Sequence, residues 1–261
     1  MAKAKRIVVK VGTSTLTYEN GKLNLKNSEA LCRVLSDLHN AGFEVVLVSS
    51  GAIGVGIGKL GLQSRPEEIA KRQALAAVGQ CELMFMYDKL FGEYDCMVAQ
   101  VLLNAIDIAD ETSRKNVQNT FRELLNMKII PIVNENDTVG VDELDGLQIG
   151  DNDTLSAVVA VLLEADLLVI LSDIDGLYDA NPRENPQAKL IPRVEKITPE
   201  IKALAGAAGT NRGTGGMATK VKAAQIANDA GIDCCVMNGA RPQELYRLLE
   251  GEAVGTLFDA T

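Results

Sequence analysis

Apolar residues fall in short blocks separated by amphipathic stretches. The alternation predicts strands that alternate with helices. Ile7-Val8-Val9-Lys10-Val11 is a short apolar run, and residues 44–48 (Glu-Val-Val-Leu-Val) form a second. Continuous apolar runs of this length are expected of strands covered on both faces. Residues 97–103, 129–133, 167–171 and 233–237 read as further strands. Between them, residues 28–40 place Leu31, Val34, Leu35 and Leu38 at helical spacing and stop at Gly42. A helix is expected to open after Ser49-Ser50-Gly51-Ala52, and others over 66–94, 113–126, 152–164, 217–230 and 242–249. Residues 139–149 read as a small β-hairpin around Asp145-Gly146, and 173–192 as a long irregular loop carrying three prolines. The expected fold is α/β: a three-layer αβα sandwich around a mainly parallel open sheet. Ligands in such folds bind along the carboxyl edge of the strands.

The chain has 261 residues, 47% of them hydrophobic, with no linker, low-complexity run or internal repeat. One domain spanning 1–261 is expected. No stretch of 18 apolar residues occurs, and no apolar segment follows the charged start Met-Ala-Lys-Ala-Lys-Arg. A membrane span and a signal peptide are therefore not expected, and the location expected is cytoplasmic. The net charge of −9 shows no basic face of the kind that binds nucleic acid. Five cysteines at 32, 81, 96, 234 and 235 have neither disulfide-framework nor zinc spacing, and four read as small core residues. The single histidine, His39, lies near a helix end as a surface or capping residue, which leaves Ser-His or Cys-His chemistry without a base.

The candidate chemistry lies in residues 213–222, Gly-Thr-Gly-Gly-Met-Ala-Thr-Lys-Val-Lys. Three glycines let a backbone approach a ligand closely. The helix that follows offers free N–H groups and a positive dipole end, and Lys220 lies one turn inside it. Lys10 ends a strand just before Gly12-Thr13-Ser14, so two lysines beside glycine turns suggest a phosphate chain held from two sides. The Walker tripeptide Gly-Lys-Ser/Thr is absent, and one glycine after the first strand does not make a dinucleotide fingerprint. Asp153 opens a helix, either as its cap or as a carboxylate positioning Lys10 and Lys220. Ser50 is either a helix cap or a holder of a substrate carboxylate at a helix N-terminus. It is not in a G-x-S-x-G elbow. Phosphoryl transfer to a carboxylate suits this set, because the acceptor is already ionised and needs no strong base. With anionic substrates and an acidic chain, Mg²⁺ would help.

Six segments carry a resemblance from end to end: 8–14 (Val-Val-Lys-Val-Gly-Thr-Ser), 49–53 (Ser-Ser-Gly-Ala-Ile), 134–137 (Asn-Glu-Asn-Asp), 150–153 (Gly-Asp-Asn-Asp), 175–178 (Asp-Gly-Leu-Tyr) with Asn181-Pro182-Arg183, and 213–220. In these the chain resembles the glutamate 5-kinases of the amino acid kinase superfamily. The glycine loop and Asp-Gly-Leu-Tyr are shared with sister kinases; the Lys-x-Gly-Thr-Ser start, Ser-Ser-Gly-Ala and Asn-Glu-Asn-Asp are more particular. The resemblance implies ATP as phosphoryl donor with Mg²⁺, and L-glutamate as acceptor in the first step of proline synthesis. A sister kinase acting on another carboxylate or phosphate acceptor is the alternative.

The resemblance also implies roles. Lys10, Asp153 and Lys220 would be catalytic, with Asp153 orienting the lysines. Ser50, Gly51, Ala52, Asn134, Asp137 and Asn152 would bind glutamate. Lys10, Gly12, Ser172, Asp173, Tyr178 and the run Thr214, Gly215, Gly216, Met217, Ala218, Thr219, Lys220 would bind ATP. No direct protein ligand of the metal is assigned. The N-terminal half would serve mainly glutamate and the C-terminal half mainly ATP, with 139–149 as a flap. Proline is implied as feedback inhibitor, a homodimer or homotetramer as assembly, and neither nucleic acid nor membrane as partner. Many members carry a C-terminal PUA domain; a short form without it is expected here.

Overall fold

The computed structural model describes residues 4–139, 151–182, 184–207 and 216–260. Among them, eight strands form one sheet: β1 (Arg6–Val11), β2 (Glu44–Val48), β3 (Val98–Leu103), β4 (Ile130–Glu135), β5 (Leu167–Ser172), β6 (Arg193–Val194), β7 (Asp233–Asn238) and β8 (Thr256–Phe258). Their spatial order is β3-β4-β2-β1-β5-β7-β8-β6. Neighbours pair in parallel except β7 with β8. The helices are α1 (Thr13–Leu16), α2 (Leu25–Asn40), α3 (Ala52–Leu60), α4 (Ile69–Gly92), α5 (Ala105–Ala109), α6 (Glu111–Asn126), α7 (Asn152–Leu162), α8 (Pro199–Ala207), α9 (Met217–Asp229) and α10 (Glu244–Leu249).

The central strands are apolar throughout because each face meets its own layer of helices. Val8, Val46, Val48, Leu168, Ile170 and Val236 pack with Phe121 of α6, Leu155 of α7 and Val221 of α9. The alternate residues Ile7, Val9, Leu47, Val169, Leu171 and Met237 pack with Leu35 of α2, Tyr87 of α4 and Leu245 of α10. Successive side chains on a strand point to opposite faces, so one run of sequence feeds two cores. This is the expected three-layer αβα sandwich. Cys32, Cys96, Cys234 and Cys235 are buried as free thiols, and Cys81 is exposed.

Element edges depart from the sequence expectation where a polar residue takes part in the local structure. α2 starts at Leu25 rather than at 28, because the Asn24 side chain accepts a hydrogen bond from the Asn27 N–H at 3.2 Å. β4 and β5 run past their apolar blocks to Glu135 and Ser172, since the ladder continues through Leu103↔Glu135 and Ser172↔Asn238. The short elements α1, α5, β6 and β8 carry too few residues to show a period, and α8 is a further helix beyond those expected from the sequence. The loop 173–192 is irregular as expected, tied by a bridge between Tyr178 and Leu190 and by Leu177 N–H donating to Thr256 Oγ1 at 2.8 Å. The hairpin expected at 139–149 lies outside the described residues except for Val139.

α3 and α4 pack at backbone contact, and glycine permits it. A Cβ on Gly79 of α4 would stand 1.7 Å from the Ala52 carbonyl oxygen, and one on Gly56 of α3 would stand 2.1 Å from that of Leu75. Gly79→Ala should therefore destabilise the protein by about 1–3 kcal/mol through overpacking, although alanine in an open helix position would add about 1 kcal/mol of stability. Urea unfolding monitored by circular dichroism checks this. A variant as stable as the wild type would mean that the two helices separate without cost.

Candidate active site

Parallel pairing sets the carboxyl ends of β1, β2, β4 and β5 along one edge. Lys10 lies beside Val48 on one side and Ile170 on the other. The turns after β1 and β2 touch: Gly51 has φ +98° and a Cβ there would meet the Thr13 side chain at 3.4 Å. Gly51, not Ser50, is the N-cap of α3, and no side chain caps that helix. Ser50 is thus buried at the strand end without a capping role, which removes one of its two alternatives. Ala52 opens α3 and is buried. Gly12 lies under the Lys10 ammonium, where a Cβ would stand 3.5 Å from Nζ.

The centre of the edge is Asp153, on the first turn of α7. The cap of that helix is Asp151, whose Oδ1 accepts from the Thr154 N–H at 2.8 Å. The Asp153 carboxylate is therefore available to side chains. Lys10 Nζ stands 2.6 Å from its Oδ1 as an ion pair. Lys220 Nζ donates to its Oδ2 at 3.0 Å. Thr219 Oγ1 lies 2.7 Å from the same oxygen and 2.8 Å from the Gly216 carbonyl, so one hydroxyl proton is shared between two acceptors. Asp153, Lys220 and Lys10 are only 1%, 6% and 7% exposed. Burial pulls the Lys10 pKa down, against the raising effect of Asp153, and the Lys220 charge adds to the lowering. For Asp153 burial works upward, but the Lys10 and then the Lys220 charges outweigh it and hold the carboxyl below its usual range. One carboxylate thus offsets one of two clustered positive charges, in a place where water screens little.

Beside this cluster lies a chain of three amides, of which Asn134 and Gln80 are buried and Asn152 is half-buried. Asn152 Nδ2 donates to Asn134 Oδ1 at 3.2 Å, and Asn134 Nδ2 donates to Gln80 Oε1 of α4 at 2.8 Å. Asn152 Oδ1 is buried with no hydrogen-bond partner among the described residues. Asp137 follows on the same loop; burial raises its carboxyl pKa, partly opposed by the charge of Arg65. Glu135 is raised further, to about 7, by burial and then by the charges of Asp137 and Asp151.

On the other flank, Ser172 Oγ donates to Asp173 Oδ1 at 3.3 Å at the end of β5. Tyr178 belongs to a separate group, its hydroxyl donating to Asp175 Oδ2 at 3.4 Å. Asp175 is held in turn by Asn238 and Arg241. Gly216 caps α9, Met217 is buried, and Ala218 is exposed. Thr214 and Gly215 lie outside the described residues, as do Gly213, Gly150 and Arg183. Lys10, Asp153, Thr219 and Lys220 therefore meet directly, and Asn134 with Asn152 forms the neighbouring group. His39 sits at the opposite edge, in the last turn of α2 before β2, where burial lowers its pKa. Gln80 and Glu135 are not among the site residues expected from the sequence. The signal for Gln80 is an amide on a helix face otherwise made of Leu75, Ala76, Leu83 and Tyr87. Among the described residues no three His, Cys, Asp or Glu side chains are grouped to hold a metal ion.

Residues 5–238 match the amino acid kinase family. A glutamate 5-kinase of Clostridium perfringens is 58% identical over 258 residues, covering 98% of this chain and 96% of that protein. One from Listeria monocytogenes is 54% identical over 260 residues, covering 99% and 94%. Among solved structures, the UMP kinase of Bacillus anthracis superposes with a TM-score of 0.64 at 17% identity over 98% of this chain and 96% of that one. The isopentenyl phosphate kinase of T. acidophilum gives 0.63 at 18% identity over 97% and 99%. At such identities the two structures share the fold alone.

The raised pKa of Glu135 makes stability depend on pH. The native carboxyl keeps its proton to about pH 7, whereas an unperturbed one releases it near 4.5. In that window the native state binds the extra proton, so this group makes stability fall as pH rises. Glu135→Gln cannot ionise and should remove the fall. The melting temperature of the variant relative to wild type should increase from pH 5 to pH 8. A difference that is the same at both pH values would contradict the assignment.

Proposed function

The chain belongs to the amino acid kinase family, and from that premise we propose that it transfers the γ-phosphoryl group of ATP to the side-chain carboxylate of L-glutamate. The products are L-glutamyl 5-phosphate and ADP, in the first step of proline synthesis. Kinship with the two glutamate 5-kinases supports the acceptor. The observation that carries the chemistry is the buried Asp153 carboxylate between the ammonium groups of Lys10 and Lys220.

One carboxylate oxygen of glutamate attacks the γ-phosphorus, and the bond from that phosphorus to the β,γ-bridging oxygen breaks. ADP leaves with the electron pair. The attacking oxygen is already ionised at neutral pH, so no base is needed. Catalysis reduces to alignment and to neutralising charge on the transferring group. Lys10 and Lys220 supply the neutralisation from opposite sides, and Asp153 fixes both ammoniums before the substrate arrives. The glycine run at 213–216 and the N-terminus of α9 suit the phosphates of ATP, with Ser172, Asp173 and Tyr178 on the nucleotide flank. Ser50, Gly51 and Ala52 at the start of α3 suit the α-carboxylate of glutamate. Asp137 and Asn152 Oδ1, which has no hydrogen-bond partner among the described residues, suit its ammonium. The acceptor would thus be served mainly by the N-terminal half of a single domain and the nucleotide mainly by the C-terminal half. Mg²⁺ would enter with the nucleotide, as the magnesium complex of ATP. Proline carries the same α-carboxylate and amine without the side-chain carboxylate, which suits it to compete for the Asp137–Asn152 half.

A coupled ADP-release assay tests this against glutamate, N-acetylglutamate, aspartate, carbamate and UMP, with proline titrated at several glutamate levels. Turnover is expected with glutamate and not with the others, and proline inhibition should weaken as glutamate rises. Lys220→Ala should lower kcat by about 10²–10³, the cost of one transition-state charge partner, with the native fold retained, because Lys10 still pairs Asp153. Near-normal turnover in that variant would refute the role of Lys220.

A further inference from the structure

The amide chain beside Asp153 has a direction that a single backbone group sets. The Glu135 N–H donates to Asn134 Oδ1 at 2.9 Å. A backbone N–H is only ever a donor, so this contact decides which end of the Asn134 amide is oxygen. Asn134 Nδ2 must then face α4, where only an acceptor can meet it; Gln80 Oε1 does so at 2.8 Å. Asn152 meets the same Asn134 Oδ1, so it must present Nδ2 there, at 3.2 Å. Its own oxygen is thereby turned away from Asn134, and it is the Asn152 Oδ1 that is buried without a hydrogen-bond partner among the described residues.

Gln80 is a costly residue to keep in that place. It is buried on the apolar face of α4, and a buried amide is tolerated only when hydrogen-bonded. Seven residues on, two turns along the same face, Tyr87 places its hydroxyl 2.8 Å from Ser49 Oγ at the end of β2. One face of α4 thus braces the ends of both β2 and β4. The close approach of α4 to α3 at Gly79 sets the depth at which Gln80 enters.

We propose that Gln80 is a positioning residue of the acceptor site. Its Oε1 locks Asn134, and through Asn134 the orientation of Asn152, so that Asn152 offers a bare acceptor oxygen to a donor group on the substrate. That donor is the α-ammonium of the amino-acid acceptor. The assignment rests on glutamate being the acceptor. Without Gln80, Asn134 Nδ2 loses its partner; the Glu135 N–H still fixes which end of the amide is oxygen, but the Asn134 side chain is no longer held from the α4 side, and the Asn152 oxygen that it positions is held less firmly toward the ammonium. Selection for an α-amino group is therefore set one helix away from the substrate.

The test compares Gln80→Leu, which removes the acceptor, with Gln80→Glu, which keeps an acceptor oxygen in the same position. Both are assayed with glutamate and with glutarate, the same dicarboxylate without the amine. Gln80→Leu should raise the KM for glutamate roughly ten- to a hundredfold, the range for losing one charge-assisted contact. The KM for ATP and the rate with glutarate should stay within about threefold, and Gln80→Glu should recover most of the glutamate KM. An unchanged glutamate KM in Gln80→Leu would overturn the proposal. So would equal losses for glutamate, glutarate and ATP with lowered melting temperatures in both variants, the pattern of general damage. Wild-type turnover separates this from the functional reading: if the wild type does not phosphorylate glutamate, that reading fails and the ammonium assignment with it; if it does, a flat Gln80→Leu result removes the relay alone.

Discussion

A single buried carboxylate holding two ammonium groups is the constraint on which the rest of the site depends. Asp153, Lys10 and Lys220 come from α7, β1 and α9, separated by more than half the chain. Each is almost wholly removed from water. A buried charge left without a partner costs several kcal/mol, so the three elements are bound to one relative placement. The sheet supplies that placement. β1 lies at its middle, between β2 and β5, and delivers Lys10 to the carboxyl edge where the two helices begin. In the proposed reaction, two cations on one anion at that edge would form a counterpart for the transferring phosphoryl group.

In the proposed reaction, the first turn of α7 would join the acceptor side to the phosphoryl-donor side. Asn152 and Asp153 are neighbours in sequence, about 100° apart around the helix. Asn152 engages the amide chain that ends at Gln80, and Asp153 engages the lysines. Asp151, just before them, caps the helix and so leaves both side chains for other work. Small changes at this turn would be felt by acceptor and phosphoryl donor together. The bracing of β2 and β4 by α4, which depends on Gly79, keeps the acceptor side in register with it.

Much of the fold was legible because its signals are local. The apolar blocks at β1, β2 and β5 needed only a period and a length, and Lys10 and Lys220 stood out by their glycine neighbours. Other features depend on contacts that no local pattern carries. Gly-Asp-Asn-Asp holds two aspartates suited to a cap, and only the geometry assigns that duty to Asp151 and leaves Asp153 for the lysines. Ser50 and Gly51 posed the same ambiguity, resolved by the left-handed backbone at Gly51. Gln80 belongs to a helix whose other inward residues are apolar, and its partner lies 54 positions away. β8, three residues long, exists because β7 offers it an antiparallel edge.

The most direct measurement of the account is steady-state kinetics of Asp153→Asn with glutamate and ATP. The substitution keeps the shape and removes the charge that organises both lysines. A kcat lower by about 10² or more is expected, with KM for glutamate changed far less, if Asp153 positions the groups that act in the transition state and binds little substrate itself. A kept kcat with a raised KM for glutamate would contradict it and would make Asp153 a substrate ligand.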